Sequence, residues 1–287
     1  VTRNNSATVN WVAGGVPQST SDSAPDVTIV EPELQIVKSN GNPLLGDAGD
    51  TITFTLLVEH TSSSNATAMD VRLSDILNVT VPDNYMTYLP GSLSVVDAGG
   101  AVRDPANLGN EVVAGDLDIR WSQFPRNATS TVTFQVTLDP LTPVDTTLTN
   151  TADLYWTSLP GDESAAQSSN ANSGERTGDP ADPGAGEAGA NDHRATDDGI
   201  VLTPEPTFEK HIVETSESAS GSAQHDPLLP DLAIGELVTF ALVGYFPDGA
   251  ADGVTIGDTL PAGLEYVSST VSVGADFTLP AGYPQVS

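Results

Sequence analysis

Short segments in which hydrophobic and polar residues alternate recur along most of the chain, with turn-forming residues between them. This period of two is typical of β-strands that are buried on one face. No long segment has the helical period, so the pattern predicts an all-β protein. About seven such strands within residues 31–158 predict a β-sandwich. The side chains predicted to face inward are Leu34, Ile36 and Lys38; Ile52, Phe54, Leu56 and Val58; Val71, Leu73 and Asp75; Leu117, Ile119 and Trp121; Val132, Phe134, Val136 and Leu138; and Leu148, Asn150, Ala152 and Leu154.

Several of these segments occur twice, which indicates an internal repeat. The first copy of each is followed here by its match: Asn5–Trp11 and Asn150–Trp156; Gly49–Leu56 and Gly235–Leu242; Val71–Asp75 and Val254–Asp258; and Tyr88–Val95 and Tyr266–Val273. The only two lysines of the chain, Lys38 and Lys210, stand near the start of the same repeated unit, each a few residues after a Glu-Pro pair.

The order of the matches predicts the domain organisation. Residues 1–30 contain the final strand or strands of a preceding repeat plus a linker, residues 31–158 a complete repeat, and residues 205–287 the first half of a following repeat. One explanation is a window from a longer tandem array. The other is head-to-tail polymerisation, in which the N-terminal strand of one molecule completes the C-terminal half of the next. We expect the window, because about fifty residues of a full repeat have no counterpart in residues 1–30.

Residues 159–204 differ from the rest because they are rich in Gly, Asp, Ser, Asn, Ala and Pro and nearly lack large apolar residues. Such a composition cannot form a core, so we expect a long acidic linker or insertion. Acidic, glycine-rich loops can also supply the oxygen ligands that Ca²⁺ requires, although the spacing of an EF-hand is absent. A Ca²⁺ site and a plain solvated spacer are the two alternatives. The candidate ligands are Asp179, Asp182, Glu187, Asp192, Asp197 and Asp198.

Composition narrows the possible functions. The formal net charge of −30 disfavours binding to nucleic acid or to an anionic membrane. No apolar segment has the length of a membrane span, so we expect no membrane insertion in this segment. The chain has no cysteine, which excludes disulfides and thiolate chemistry. No histidine occurs in a recognisable metal or catalytic motif, so we expect no enzymatic activity.

Five motifs, in this order along a repeat, resemble a prokaryotic surface-protein repeat, the Ig-like domain of unknown function eleven. They are Lys38 at the end of the first strand, Gly49–Phe54, Asp258–Leu264, Trp121, and the final strand Leu148–Ala152. The middle repeat departs from the family at residues 75–78, where the compact Leu-Pro-x-Gly turn is missing. The resemblance implies tandem Ig-like β-sandwiches in a prokaryotic cell-surface or filament protein, and it implies no ligand.

Three polar residues, Lys38, Asp75 and Asn150, share the inward face of their strands with apolar residues. Buried polar groups are costly unless they satisfy one another. Surface domains of Gram-positive pili solve this problem with an isopeptide bond, for which a buried amine, an acid and a carboxamide are sufficient. We therefore expect a Lys38–Asn150 cross-link with Asp75 as the acid. The alternatives are a non-covalent polar cluster, surface placement of the lysine, or an Asp75 that caps the following turn.

The incomplete repeats contain the same residue types. Lys210 and Asp258 would be the amine and acid of the second unit, and Asn5 lies on a final-type strand with no lysine before it. Glycosylation sequons occur at Asn4, Asn65, Asn78 and Asn127, and they matter only if the source organism glycosylates its surface proteins.

The sequence therefore predicts a structural repeat segment of a large extracellular or cell-surface protein, such as a filament, stalk or adhesin shaft. Its expected partners are copies of itself or neighbouring repeats in a filament. A different hypothesis is an adhesin module that binds carbohydrate or protein through its loops. A third is a carbohydrate-active enzyme whose catalytic domain lies outside this segment.

Overall fold

The computed structural model describes residues 2–41, 45–77, 85–160, 193–217 and 231–275. The regular secondary structure of these residues consists of β-strands alone, so none of them forms a helix that could cross a membrane. The strands are β1 (Thr2–Arg3), β2 (Ser6–Ala13), β3 (Val16–Ser23), β4 (Val27–Thr28), β5 (Leu34–Ser39), β6 (Thr51–His60), β7 (Ala68–Asp75), β8 (Met86–Tyr88), β9 (Ser94–Ala98), β10 (Val102–Arg103), β11 (Val112–Val113), β12 (Asp116–Phe124), β13 (Thr129–Leu138), β14 (Thr147–Thr157), β15 (Arg194–Leu202), β16 (Thr207–Thr215) and β17 (Val238–Tyr245).

Two antiparallel sheets form a sandwich from β5 to β15. The first has the order β10-β12-β7-β14-β15, with β11 also paired to β12. The second has the order β5-β6-β13-β8, with β9 also paired to β13. The inner faces of the sheets carry the core, which includes the fully buried rings of Phe54, Trp121, Phe124 and Phe134. The prediction of an all-β sandwich is confirmed.

The alternating pattern correctly identified the inner face of the sandwich. Every side chain predicted to face inward is buried, except Ile52, which is partly buried and packs against the core. Strands β12 and β13 show the pattern most clearly, because buried and partly exposed residues alternate along nearly their whole lengths. Burying one face of a strand in this way fixes the register, since a slip of one residue would turn every apolar side chain outward.

The prediction that residues 159–204 form a linker is wrong for its last part, because Arg194–Leu202 is strand β15. β15 pairs with β14 along nine residues, from Thr147 opposite Leu202 to Tyr155 opposite Arg194. It also contacts β5, the edge strand of the other sheet. β15 therefore closes one side of the sandwich. Residues 161–192 lie outside the described residues.

The N-terminal residues form two small exposed sheets, β1 with β4 and β2 with β3. The β2–β3 hairpin turns at Gly14 and Gly15, whose φ angles of 61° and 83° suit the tight turn that matches the twist of a hairpin. By the sequence match, β2 is the equivalent of β14. Its Trp11 is 45 % exposed, whereas the equivalent Trp156 is 3 % exposed.

The chain forms two compact units, of which the second contains Lys210–Leu242 and the described residues after Asp252. β16 and β17 form a two-stranded sheet. Val254 and Ile256 of the second unit are exposed, although the equivalent Val71 and Leu73 of the sandwich are fully buried. The second unit therefore has the apolar pattern of a repeat, but these apolar side chains are not buried in a core.

Candidate functional site

Three neighbouring strands of the sandwich place Lys38, Asp75 and Asn150 on its inner face. Lys38 lies near the end of β5, Asp75 ends β7, and Asn150 lies in β14. In the antiparallel β7–β14 pair, Asp75 is directly opposite Ala152. Asn150 is then its diagonal neighbour on the same face, a relation with Cα atoms about 7–8 Å apart. The pleat that buries Leu73 and Leu148 therefore also turns these polar groups inward.

The lysine and the aspartate form a fully buried pair. Lys38 Nζ donates a hydrogen bond of 2.7 Å to Asp75 Oδ2, and both side chains are 0 % exposed. Burial lowers the pKa of Lys38, although the neighbouring Asp75 partly offsets this effect. Burial likewise raises the pKa of Asp75, with Lys38 acting in the opposite direction. Because desolvation is the largest influence on both groups, it shifts each of them towards its neutral form.

Aromatic rings form one wall of this site. Lys38 Nζ lies 5.1 Å from the ring centre of Phe54, which stacks on Phe134 at a centroid distance of 5.5 Å. The Phe54 ring is part of the buried surroundings whose desolvation lowers the pKa of Lys38. The predicted alternative in which the lysine lies on the surface is therefore wrong.

The side chain of Asn150 completes the cluster beside Asp75. Among the described residues, neither Asn150 Nδ2 nor Asp75 Oδ1 has a hydrogen-bond partner, and both atoms are buried. Asn150 is nevertheless close enough to Asp75 for its side chain to act as a weak hydrogen-bond donor that lowers the pKa of that carboxyl. Unpaired buried polar atoms cost about 1–3 kcal/mol each, so this cluster is expensive as a purely non-covalent arrangement.

Strand β15 contributes residues that the sequence analysis had placed in a linker. Gly199 is directly opposite Asn150 in the β14–β15 pair. Asp197 Oδ2 accepts a hydrogen bond of 2.7 Å from the backbone N–H of Lys38. The alternation of Ala195, Asp197, Gly199 and Val201 on one face was the available signal, but only Val201 in this set is a large apolar residue.

A second lysine–aspartate pair repeats the first. In the second unit, Lys210 Nζ donates a 2.7 Å hydrogen bond to Asp258 Oδ1, and it lies 4.7 Å from the ring centre of Phe240. Here the side chains are 36 % and 28 % exposed. Asn5, the third candidate, lies just before the exposed strand β2, and its carbonyl oxygen accepts the N–H of Ala24. A cross-link from Lys210 stays a prediction.

The candidate Ca²⁺ ligands receive no support as a cluster. Asp179, Asp182, Glu187 and Asp192 lie outside the described residues. Asp197 binds the backbone of β5, and Asp198 accepts a hydrogen bond from the Thr151 hydroxyl. In the part of the chain that the structure describes, no three acidic or histidine side chains are placed to hold a metal ion. A Ca²⁺ site involving residues 179–198 stays a prediction.

The sequons at Asn4, Asn65 and Asn127 are all exposed, and Asn78 lies outside the described residues. Asn65 Oδ1 accepts the backbone N–H of Glu31, and Asn4 Nδ2 donates to Ala24 O and to Asp26 Oδ1. Two of these side chains therefore already have local partners, and glycosylation stays a prediction at all four positions.

A histidine network that the sequence did not reveal lies at the end of β6. His60 Nε2 is 2.9 Å from the carbonyl oxygen of Phe124, and His60 Nδ1 is 2.7 Å from Ser64 Oγ. A carbonyl can only accept, so the neutral ring carries its proton on Nε2 and accepts from the Ser64 hydroxyl. Ser64 Oγ also accepts the backbone N–H of Glu33. Burial lowers the pKa of His60, so the neutral form fits this network.

Comparison with known proteins gives only distant similarities. No protein-family model and no curated protein matches the chain. Among solved structures, BcpA, the major pilin subunit of Bacillus cereus, matches with 9 % identity and a TM-score of 0.34 over 85 % of this chain and 64 % of that one. The major pilin SpaD of Corynebacterium diphtheriae matches with 14 % identity and a TM-score of 0.31 over 76 % and 51 %. The collagen-binding domain of a Staphylococcus aureus adhesin matches with 7 % identity and a TM-score of 0.30 over 60 % and 99 %.

Proposed function

We propose that this chain is a structural repeat segment of an extracellular or cell-surface protein, and that its complete sandwich is locked by an isopeptide bond between Lys38 and Asn150. The observation that carries the proposal is the fully buried Lys38–Asp75 pair beside the buried amide nitrogen of Asn150, which makes no hydrogen bond of normal geometry among the described residues. Burial of one of the chain's two lysines next to an amide nitrogen that makes no regular hydrogen bond is costly, and a reaction among the three groups would remove that cost.

The reaction uses the neutral forms of Lys38 and Asp75, towards which burial shifts both groups. Lys38 transfers a proton to Asp75, which leaves a neutral amine and a neutral carboxylic acid. The amine nitrogen attacks Cγ of Asn150, while the acid of Asp75 donates its proton to the carboxamide as charge develops there. The Nζ–Cγ bond forms, the Cγ–Nδ2 bond breaks, and one molecule of ammonia leaves with the transferred protons. Asp75 is regenerated, so no cofactor or oxidant is required.

The position of the bond supports a mechanical role. It would join β5, the first strand of the sandwich, to β14, which pairs with the last strand, β15. Tension applied between these strands would then pass through a covalent bond and would not shear the sheets. A chain without cysteine cannot obtain such a cross-link from a disulfide. Its acidic surface, with 39 Asp and Glu against 9 Lys and Arg, keeps long assemblies soluble by mutual repulsion.

Intact-mass measurement tests the cross-link. The wild-type chain should be lighter than its sequence by one ammonia, and fragmentation should show a branched peptide that joins Lys38 to Asn150. Lys38→Met should have the full mass of its own sequence. Lys210→Met is the matched control, because its partly exposed pair should leave the mass deficit unchanged. A wild-type chain at full mass would overturn the proposal.

Location is tested separately. An antibody raised against the sandwich should label intact cells of the source organism without permeabilisation. Labelling that appears only after the cells are permeabilised would contradict a surface role, even if the cross-link is present.

A further inference from the structure

Gly199 in β15 occupies a position where backbone conformation does not require glycine, because its φ angle lies outside the left-handed region. What the position requires is space. A Cβ at Gly199 would overlap Phe54 Cε1, lie 2.8 Å from Phe54 Cδ1, and lie 3.4 Å from Lys38 Cε. Glycine weakens the interior of a strand, so a glycine here indicates a close approach by other groups. Those groups are the lysine stem and the ring beneath it.

Strand β15 also fixes the backbone that carries the lysine. The Asp197 carboxylate accepts the N–H of Lys38 at 2.7 Å. Two residues further on, Asn40 Nδ2 donates to the Ile200 carbonyl at 2.6 Å. These contacts join β15 of one sheet to the β5 edge of the other. They lie on either side of Gly199, which in turn is directly opposite Asn150.

We propose that β15 is the positioning element of the cross-link: Gly199 leaves the space in which Lys38 approaches Asn150, and Asp197 holds the Lys38 backbone in register. This inference rests on the proposed isopeptide bond. It adds that the bond forms only after the β14–β15 hairpin has closed on β5. Cross-linking should therefore follow the docking of β15, the last strand of the sandwich.

The expected size of the effect follows from the geometry of attack. Nucleophile and electrophile must meet at about 3–3.5 Å, and a misplacement of about 1 Å can slow a reaction about 100-fold. A methyl group at position 199 must displace the Phe54 ring, the lysine stem, or β15 itself. Gly199→Ala should therefore slow cross-linking by about 100-fold in a chain that still folds.

The test follows the loss of ammonia by intact mass during cell-free synthesis of the whole chain. Phe124→Leu is the control, because Phe124 is fully buried but lies at the end of β12 opposite Ala68, at the other end of β7 from Asp75. Both variants should lose some stability in urea. Only Gly199→Ala should accumulate the uncross-linked form. Equal slowing in both variants would show a general folding effect and would overturn the inference.

Rescue provides a second readout. Phe54→Leu combined with Gly199→Ala removes the ring edge that the new methyl group would strike, so cross-linking should recover relative to Gly199→Ala alone. If Gly199→Ala does not fold, Asp197 supplies the test: Asp197→Ala should slow cross-linking, and Asp197→Asn, which keeps an acceptor oxygen, should not. Slowing by Asp197→Asn equal to that by Asp197→Ala would count against positioning.

The outcomes for the two proposals differ. A wild-type chain without any ammonia loss refutes the isopeptide bond itself. A wild-type chain that cross-links, together with Gly199→Ala and Asp197→Ala variants that cross-link at the same rate, refutes only the role of β15.

Discussion

Replacing Asn150 by alanine should remove the cross-link while leaving the Lys38–Asp75 pair in place. The bond would close a loop of about 110 residues between positions 38 and 150. Closing a loop of this length lowers the entropy of the unfolded chain. By analogy with a disulfide, this should stabilise the fold by about 5 kcal/mol. For a domain of this size, the melting temperature should fall by about 10–20 °C.

Urea unfolding checks the origin of the effect as well as its size. An unfolded chain that contains the cross-link is more compact and exposes less surface, so Asn150→Ala should increase the slope of the unfolding free energy against urea concentration. The midpoint should fall at the same time. A lower midpoint with an unchanged slope would point to lost packing.

A double-mutant cycle makes the prediction sharper. Lys38→Met and Asn150→Ala each remove the same single bond, but Lys38→Met also leaves the buried Asp75 without its amine partner. The two substitutions together should therefore cost about as much as Lys38→Met alone. A double variant that costs as much as the sum of the two single variants would mean that the residues stabilise the fold separately. That result would refute the reasoning, as would a wild-type chain whose mass shows no bond.

Three further predictions concern other parts of the chain. Burial lowers the pKa of His60 in the folded state, so the stability that the neutral ring contributes should be lost as the pH falls below the unfolded-state pKa of about 6.5. The urea midpoint of the wild-type chain should therefore fall between about pH 7 and 5, and His60→Gln should make that fall smaller. A wild-type midpoint that is constant over this range would contradict the prediction. If residues 179–198 bind Ca²⁺, a chelator should increase proteolytic cleavage there while the sandwich stays protected, whereas equal cleavage with and without Ca²⁺ would indicate a plain spacer. If Asn5 of one molecule reacts with Lys210 of the next, native assemblies should give a ladder on a denaturing gel, and a single band of monomer mass would exclude this covalent polymer.

The face of each strand was predictable wherever apolar residues alternate with polar ones over several positions. The same parity placed Lys38 and Asp75 on the inner face, and the structure joins them at 2.7 Å. Their contact could be anticipated because two buried charged groups of opposite sign are expected to meet. The apolar pattern of β6 and β13 likewise limits how the two strands can pair, because a slip of one residue would turn their apolar side chains out of the core.

Strand β15 could not be recognised in the same way. Val201 is the one large apolar residue on its inner face, and the residues of that face that contact the Lys38 segment are Gly199 and Asp197. Both residue types are depleted in strands, and both are used here for their contacts across the sandwich. These contacts involve β5, more than a hundred residues earlier in the chain. Local pattern therefore assigned the segment to a linker, because the information that makes it a strand is tertiary.

The β2–β3 pair and the β14–β15 pair differ in the length of the connection between their strands. Gly14 and Gly15 close β2–β3 directly, whereas residues 158–193 separate β14 from β15. The base of the longer hairpin is held by the Trp156 N–H bond to the His193 carbonyl at 3.0 Å and by their rings, with centroids 5.6 Å apart. Closing a connection of this length instead of two residues costs only about 2–3 kcal/mol, because the entropy grows with the logarithm of length. Because this cost rises so slowly, a peptide or a whole foreign domain inserted between Thr157 and Arg194 should reduce the stability of the sandwich little.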